Sequence, residues 1–195
     1  MDREFISMGM LVPRNYAWGS SSILPSALTN SQKEPDQCLF PIDRRPTMTA
    51  FNGWPTLVLE TGVSESLPRL QAEACWWFRN SSGATRIVIV ITIRTQTREI
   101  LVQKWQLAPA DSPPLTEAYL DDLRRTTTIP PLNPQPVDTQ DAFCSQEIGI
   151  KVTPQRVSVT GAPMLLQFEV LFDIPKQTDV QLDAAFFTTW ASNLF

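Results

Sequence analysis

Histidine is absent from the 195-residue chain. That single absence removes Ser/His and Cys/His nucleophile systems, HExxH metalloprotease sites and every imidazole proton shuttle. Cysteine is scarce as well. Cys38, Cys75 and Cys144 are an odd number at wide spacing, unlike a disulfide framework or a zinc site, so reduced thiols in an intracellular compartment are expected. Glycine (7) is outnumbered by proline (17), and neither collagen, coiled coil nor full-length disorder fits this composition. Excess positive charge is lacking: 16 Lys and Arg face 20 Asp and Glu, for a net charge of -4. Broad electrostatic attachment to nucleic acid or anionic lipid is therefore not favoured, although a local basic cleft stays open. No apolar run exceeds that from Ile87 to Ile91, far too short to cross a bilayer, and Asp2 and Glu4 stand where a signal peptide needs a basic region. A soluble protein of the cytoplasm or nucleus, with no membrane contact, is expected. What remains for chemistry is carboxylates, Lys and Arg, Tyr, or a metal held by oxygens.

What is present suffices for one core, since 43% of the residues are hydrophobic. The reading is a single domain over 1–195, with 1–30 as an irregular or short-strand lead-in and 108–145 as a Pro-rich excursion. Strands are expected from Asp36 to Ile42 and from Leu57 to Glu60, with Gly62 opening an exit turn. A helix over Ser66 to Asn80 follows, because Leu70, Ala74, Trp77 and Phe78 fall on one face and Asn80-Ser81-Ser82-Gly83 ends the run. Arg86 to Arg94 is apolar on both alternating faces, as a central strand covered on both sides requires. Strand, helix, strand of this length implies a parallel pair. Glu99 to Leu107 reads as its antiparallel neighbour. Further expectations are a short helix Thr116–Arg125, strands at Gln146–Val152 and Met164–Phe172, and a closing helix from Asp179 to Phe195.

Two carboxylates sit at strand edges, Asp36 after Pro35 and Glu60 after three apolar strand residues. If those strands are neighbours, both acids face one cleft, and two hard oxygen ligands suit Mg²⁺, which keeps several waters. Such an ion could activate water and stabilise the leaving oxygen of a phosphodiester. The order Pro-Asp, strand-Glu, then VLETGVSESLPRLQAEACWWFRNSSGATRIVIVITI and the distal GAPMLLQFEVLF resembles fungal proteins that are similar in turn to the Uma-type branch of the PD-(D/E)XK restriction-endonuclease-like superfamily. The resemblance is best over residues 30 to 107. It implies an α/β (α+β) fold, a restriction-endonuclease-like mixed β-sheet flanked by helices. It also implies Asp36 and Glu60 as metal-binding and catalytic acids, with nucleic acid as the partner.

The chain departs from that pattern at Gly62, where the superfamily places a lysine that orients water and neutralises developing charge. Some members carry the basic residue on the following helix, and there Arg69 is the cation of the first turns. A guanidinium can stabilise a phosphate but does not accept a proton near neutral pH. Lys104 is a weaker substitute. Plainer roles stand beside these: Asp36 as a turn residue, Arg69 paired with Glu65 or Glu73 at i−4 and i+4, Trp76 and Trp77 as packing, and Cys75 as a small core residue. Two functions compete. One is a Mg²⁺-dependent endonuclease acting on DNA or RNA through Asp36, Glu60 and Arg69. The other, favoured by the incomplete motif, is a degenerate or weakly active nuclease-like protein, or a module that only binds a protein or nucleic acid.

Overall fold

The computed structural model describes the chain apart from residues 2–4, 7, 9, 11, 13, 21–23, 26–30, 46–52 and 176–177, so part of the expected 1–30 lead-in lies outside the described residues. A seven-stranded mixed sheet dominates, ordered β1 (Tyr16–Gly19), β4 (Gln37–Pro41), β5 (Leu57–Val63), β6 (Ile87–Arg94), β7 (Glu99–Leu107), β8 (Ala142–Val152) and β9 (Val157–Thr160). Helix α1 (Leu67–Asn80) joins β5 to β6, which pair in parallel with Leu57 opposite Ile87; all other neighbours in the sheet are antiparallel. Two small ribbons, β2 (Leu24–Pro25) with β3 (Gln32–Lys33) and β10 (Met164–Leu166) with β11 (Val180–Leu182), lie outside it. Further α-helices among the described residues are α2 (Glu117–Arg125), α3 (Phe168–Phe172) and α4 (Ala184–Ser192). No described helix is long and apolar enough to cross a membrane.

The central strand is β6, and its alternation divides the core in two. Val88 and Val90 pack with Val58 under Leu70, Ala74, Trp77 and Phe78 of α1. Ile87 and Ile89 pack on the other face with Leu57, Phe168, Phe172 and Phe187. Both faces of β6 are therefore dry, which is why it carries no polar alternation. Helix α1 begins after Ser66 with Pro68 in its first turn, where the missing N–H has no intrahelical role. It ends where Ser82 (φ 51°) and Gly83 (φ 75°) turn left-handed, and the Gly83 N–H donates to Phe78 O at 2.8 Å.

Several expectations are corrected. Strand β5 does not end at Glu60: it continues to Val63, so Glu60 is mid-strand and Gly62 is no exit turn. The stretch Met164–Phe172 is not one strand but β10 followed by α3, closed by Asp173 at φ 58°. Phe168, Val170, Leu171 and Phe172 are all buried, and a short run apolar on every side has no period to separate strand from helix. The closing helix starts later than expected, because the Asp183 carboxylate accepts the Phe186 N–H at 2.7 Å and caps α4 there. Upstream, Val180 and Leu182 alternate as β11. Among the described residues of the 1–30 lead-in, Tyr16–Gly19 forms β1, a short strand as one of the two readings had it, and Phe5, Met10, Tyr16 and Leu24 are buried. Its strands are too short to show a period. The 108–145 excursion contains α2 and is tied down by Gln135 N donating to Ser82 O (2.8 Å) and Arg86 Nη2 donating to Leu132 O (2.7 Å). Buried Arg86 also pairs with Asp173 at 2.6 Å, linking β6 to the end of α3.

Candidate functional site

Glu60 and Val58 share the face of β5 that α1 covers, and this places a carboxylate, 4% exposed, under an aromatic helix stripe. An unpaired charge there would be costly. Trp77, at 0% exposure, donates its indole Nε1–H to Glu60 Oε1 at 2.6 Å. The second partner is Lys33, from the last position of β3, whose Nζ lies 3.0 Å from Glu60 Oε1 and 3.1 Å from Glu73 Oε2. These are ion pairs whose angles fall short of hydrogen-bond geometry. The same ammonium lies 5.4 Å from the Trp77 ring centroid, within cation–π range. Burial raises the Glu60 carboxyl above its ordinary 4.5, Lys33 and the Trp77 N–H oppose the rise, and the charge of Asp36 adds to it.

Asp36 is exposed and accepts the Thr61 backbone N–H at 2.7 Å. The β4–β5 register sets Gln37 opposite Leu59, and one further step sets Asp36 opposite Glu60. The two acids are thus cross-strand neighbours. Arg69 is elsewhere: its side chain is 69% exposed and paired with Glu65 (3.0 Å) and Glu73 (3.5 Å), so its link to Glu60 runs through Glu73 and then Lys33. Lys104 is on the wrong face. Glu60 is opposite Val90, and Val90 opposite Gln103, so it is Gln103 that shares Glu60's side of the sheet while Lys104 stands opposite Ile89. Gln103 accepts from Gln71 Nε2 and from Trp105 Nε1, both at 3.1 Å, and donates to Glu147 at 2.8 Å, extending a polar floor along that side. Trp54, Trp76 and Trp77 form an aromatic cluster with centroids 5.0 to 6.3 Å apart, which holds the indole donor in place. Cys38, beside Glu60, is a buried thiol pushed up to about 12, so it stays protonated.

Lys33 and its contact with Glu73 were not foreseen. Glu73 and Trp77 are four residues apart on one helix face, a spacing visible in the sequence. Lys33 has no such signal, since a two-residue strand carries no pattern.

A divalent ion fits this arrangement poorly. Asp36 Oδ1 and Glu60 Oε2 have no protein donor among the described residues, but Glu60 Oε1 is taken by an indole N–H and an ammonium. No group of three acidic or Cys side chains among the described residues is disposed to hold a metal. What lies between Glu60 and Glu73 is already a cation, the chain's own.

Gly62 is closed to a lysine by packing. Its φ is not in the left-handed region, but an added Cβ would lie 2.7 Å from Leu70 Cδ1 and 2.8 Å from Glu65 Cβ. Gly62→Lys is expected to cost about 1 to 3 kcal/mol through overpacking. Urea melts check this, and a Gly62→Lys variant as stable as wild type would contradict it.

No family model matches the chain, and no curated protein is significantly similar to it. Among solved structures, a candidate nuclease belonging to DUF820 from Anabaena variabilis superposes with a TM-score of 0.44 at 10% identity, covering 92% of this chain and 72% of that one. A likeness of that size fixes neither residue roles nor activity.

Proposed function

We propose that the protein is a nuclease-like module of the PD-(D/E)XK, restriction-endonuclease-like type that hydrolyses phosphodiesters weakly or not at all. One observation carries this reading: the Lys33 ammonium lies 3.0 Å from Glu60 and 3.1 Å from Glu73, where it compensates the carboxylate a metal would need. In this reading Mg²⁺ reaches Asp36 and Glu60 only by displacing Lys33. Gly62 supplies no cation on the strand, and Arg69 is engaged by two glutamates. Loss of one preorganised charge typically costs about a hundred- to a thousandfold in rate. The partner class is nucleic acid, met in the cytoplasm or nucleus.

The same lysine favours a second reading. An ammonium beside Glu60 could stand in for the one missing at Gly62, giving a Mg²⁺-dependent endonuclease. Cleavage of supercoiled DNA, linear DNA and RNA with Mg²⁺ or Mn²⁺ separates the two, with Asp36→Ala as the contamination control. Wild-type cleavage within about tenfold of the Asp36→Ala background is expected. Robust cleavage abolished by Asp36→Ala establishes the second reading instead.

A further inference from the structure

At one end of the sheet the β6–β7 and β8–β9 turns lie side by side, joined by the Val152 N–H donating to Arg98 O at 2.9 Å. Residues 92–101 and 149–160, which build that end, carry four cations, Arg94, Arg98, Lys151 and Arg156, and a single acid, Glu99. In a chain whose net charge is -4, positive charge is concentrated here. Glu99 is shared by two of the cations: Lys151 Nζ lies 3.0 Å from its Oε1, and Arg94 Nη1 only 3.9 Å from its Oε2. Both side chains stay in solvent, Arg94 at 61% and Lys151 at 59% exposure. Arg98 and Arg156 are exposed and make no ion pair among the described residues. One carboxylate therefore leaves three of the four charges in excess. Between them lies a depression of about 300 Å³ lined by Arg94, Glu99, Leu101, Lys151, Ser158 and Thr160. It opens on Glu60's face of the sheet, because Val90 stands opposite Glu60 and Arg94, four residues further along β6, pairs with Glu99, which pairs with Lys151. Four strand residues span about 13 Å, the rise of about four nucleotides in a nucleic-acid strand.

We infer that this corner grips the sugar–phosphate backbone of a nucleic acid, neutralising about three phosphates, and leads the strand along the same face towards Asp36 and Glu60. The inference rests on the nucleic-acid reading above and supplies the docking surface that an acidic chain needs for it. Charge sets the sign of the partner, and the turns set its class. Thr95-Gln96-Thr97-Arg98 and Thr153-Pro154-Gln155-Arg156 offer no Trp, Phe or Leu to bury in a bilayer, which an interfacial lipid contact requires alongside its cations.

Anisotropy titration of fluorescein-labelled single-stranded DNA and RNA of about 20 nucleotides tests the surface. Saturable binding is expected, with log K falling against log salt at a slope of about -2 between about 50 and about 200 mM, as three neutralised phosphates predict. Arg98→Gln/Arg156→Gln removes exposed charge alone. It should weaken binding at least about tenfold and make the slope shallower by about 1 to 2. Arg124→Gln/Arg125→Gln, an equal loss of exposed charge on α2, should change the affinity less than about twofold, because charges more than a Debye length away are screened. Binding that is unchanged in Arg98→Gln/Arg156→Gln, or that falls equally in the α2 variant, overturns this surface and leaves the nuclease-like reading standing. Wild-type protein that binds neither DNA nor RNA overturns the nucleic-acid reading together with the surface, and capture by phosphatidylserine vesicles in their place gives the corner to a membrane instead.

Discussion

Trp77→Ala is expected to destabilise the fold by about 3 to 5 kcal/mol, as removal of large buried aromatics does. Trp77 is completely buried between Val58, Val88 and Val90 of the sheet and the Trp54–Trp76 edge, so little nearby can collapse into the space. The substitution also removes the indole N–H from Glu60, leaving an acidic oxygen with one partner fewer. Trp77→Phe separates the two contributions. It keeps most of the packing and loses the charge-assisted hydrogen bond, for about 1.5 to 3 kcal/mol. Denaturant melts of the three proteins measure both, and a loss under about 1 kcal/mol for Trp77→Ala would show that the helix face is misassigned.

Lys33→Met should be nearly as damaging, and in a pH-dependent way. Breaking a buried ion pair costs about 3 to 5 kcal/mol, reduced here to about 2 to 3 because the Lys33 side chain keeps 21% exposure. The sign follows from Glu60. Its carboxyl is held above 4.5 mainly by burial, so the folded state binds a proton more readily than the unfolded chain does. That contribution to stability is fully present below 4.5 and is lost as pH rises through the higher folded value. Without Lys33 the folded value rises further and the window widens upward. The variant should therefore approach wild-type stability near about pH 4.5 and fall away from it towards about pH 8. Adding Glu60→Gln should flatten the difference. Urea melts at the two pH values decide it, and a pH-independent deficit in Lys33→Met would mean that Glu60 is not the group left unpaired.

The sheet's centre was legible because it has a period. Leu70, Ala74, Trp77 and Phe78 mark one face of α1, and the unbroken run of β6 marks a strand covered twice; those four helix residues and Ile87 to Val90 of the strand are buried as expected. Parallel pairing of β5 with β6 followed from the helix between them. Legibility failed where burial is omnidirectional or elements are very short: α3 looked like strand, and β1 and β3 showed nothing. The site divides along the same line. Asp36 and Glu60 were visible as acids on strands that turn out to be adjacent, whereas Lys33 reaches Glu60 from a ribbon set by tertiary contacts alone. Gly62 was visible as the departure from the lysine pattern, whereas the packing of Leu70 and Glu65 that closes the position to a side chain was not.

The role assigned to Lys33 as the internal cation of the acidic pair is tested most directly by Mg²⁺ titration of wild type, Lys33→Met and Lys33→Met/Glu60→Gln in a calorimeter. Removing the ammonium leaves the Glu60 charge without its internal cation while the Trp77 N–H stays on Oε1, so Lys33→Met should bind Mg²⁺ at least about tenfold more tightly than wild type, and the double variant should lose that gain. Wild-type protein binding Mg²⁺ as tightly as Lys33→Met would contradict the account, because the lysine would then stand beside the metal and not in its place.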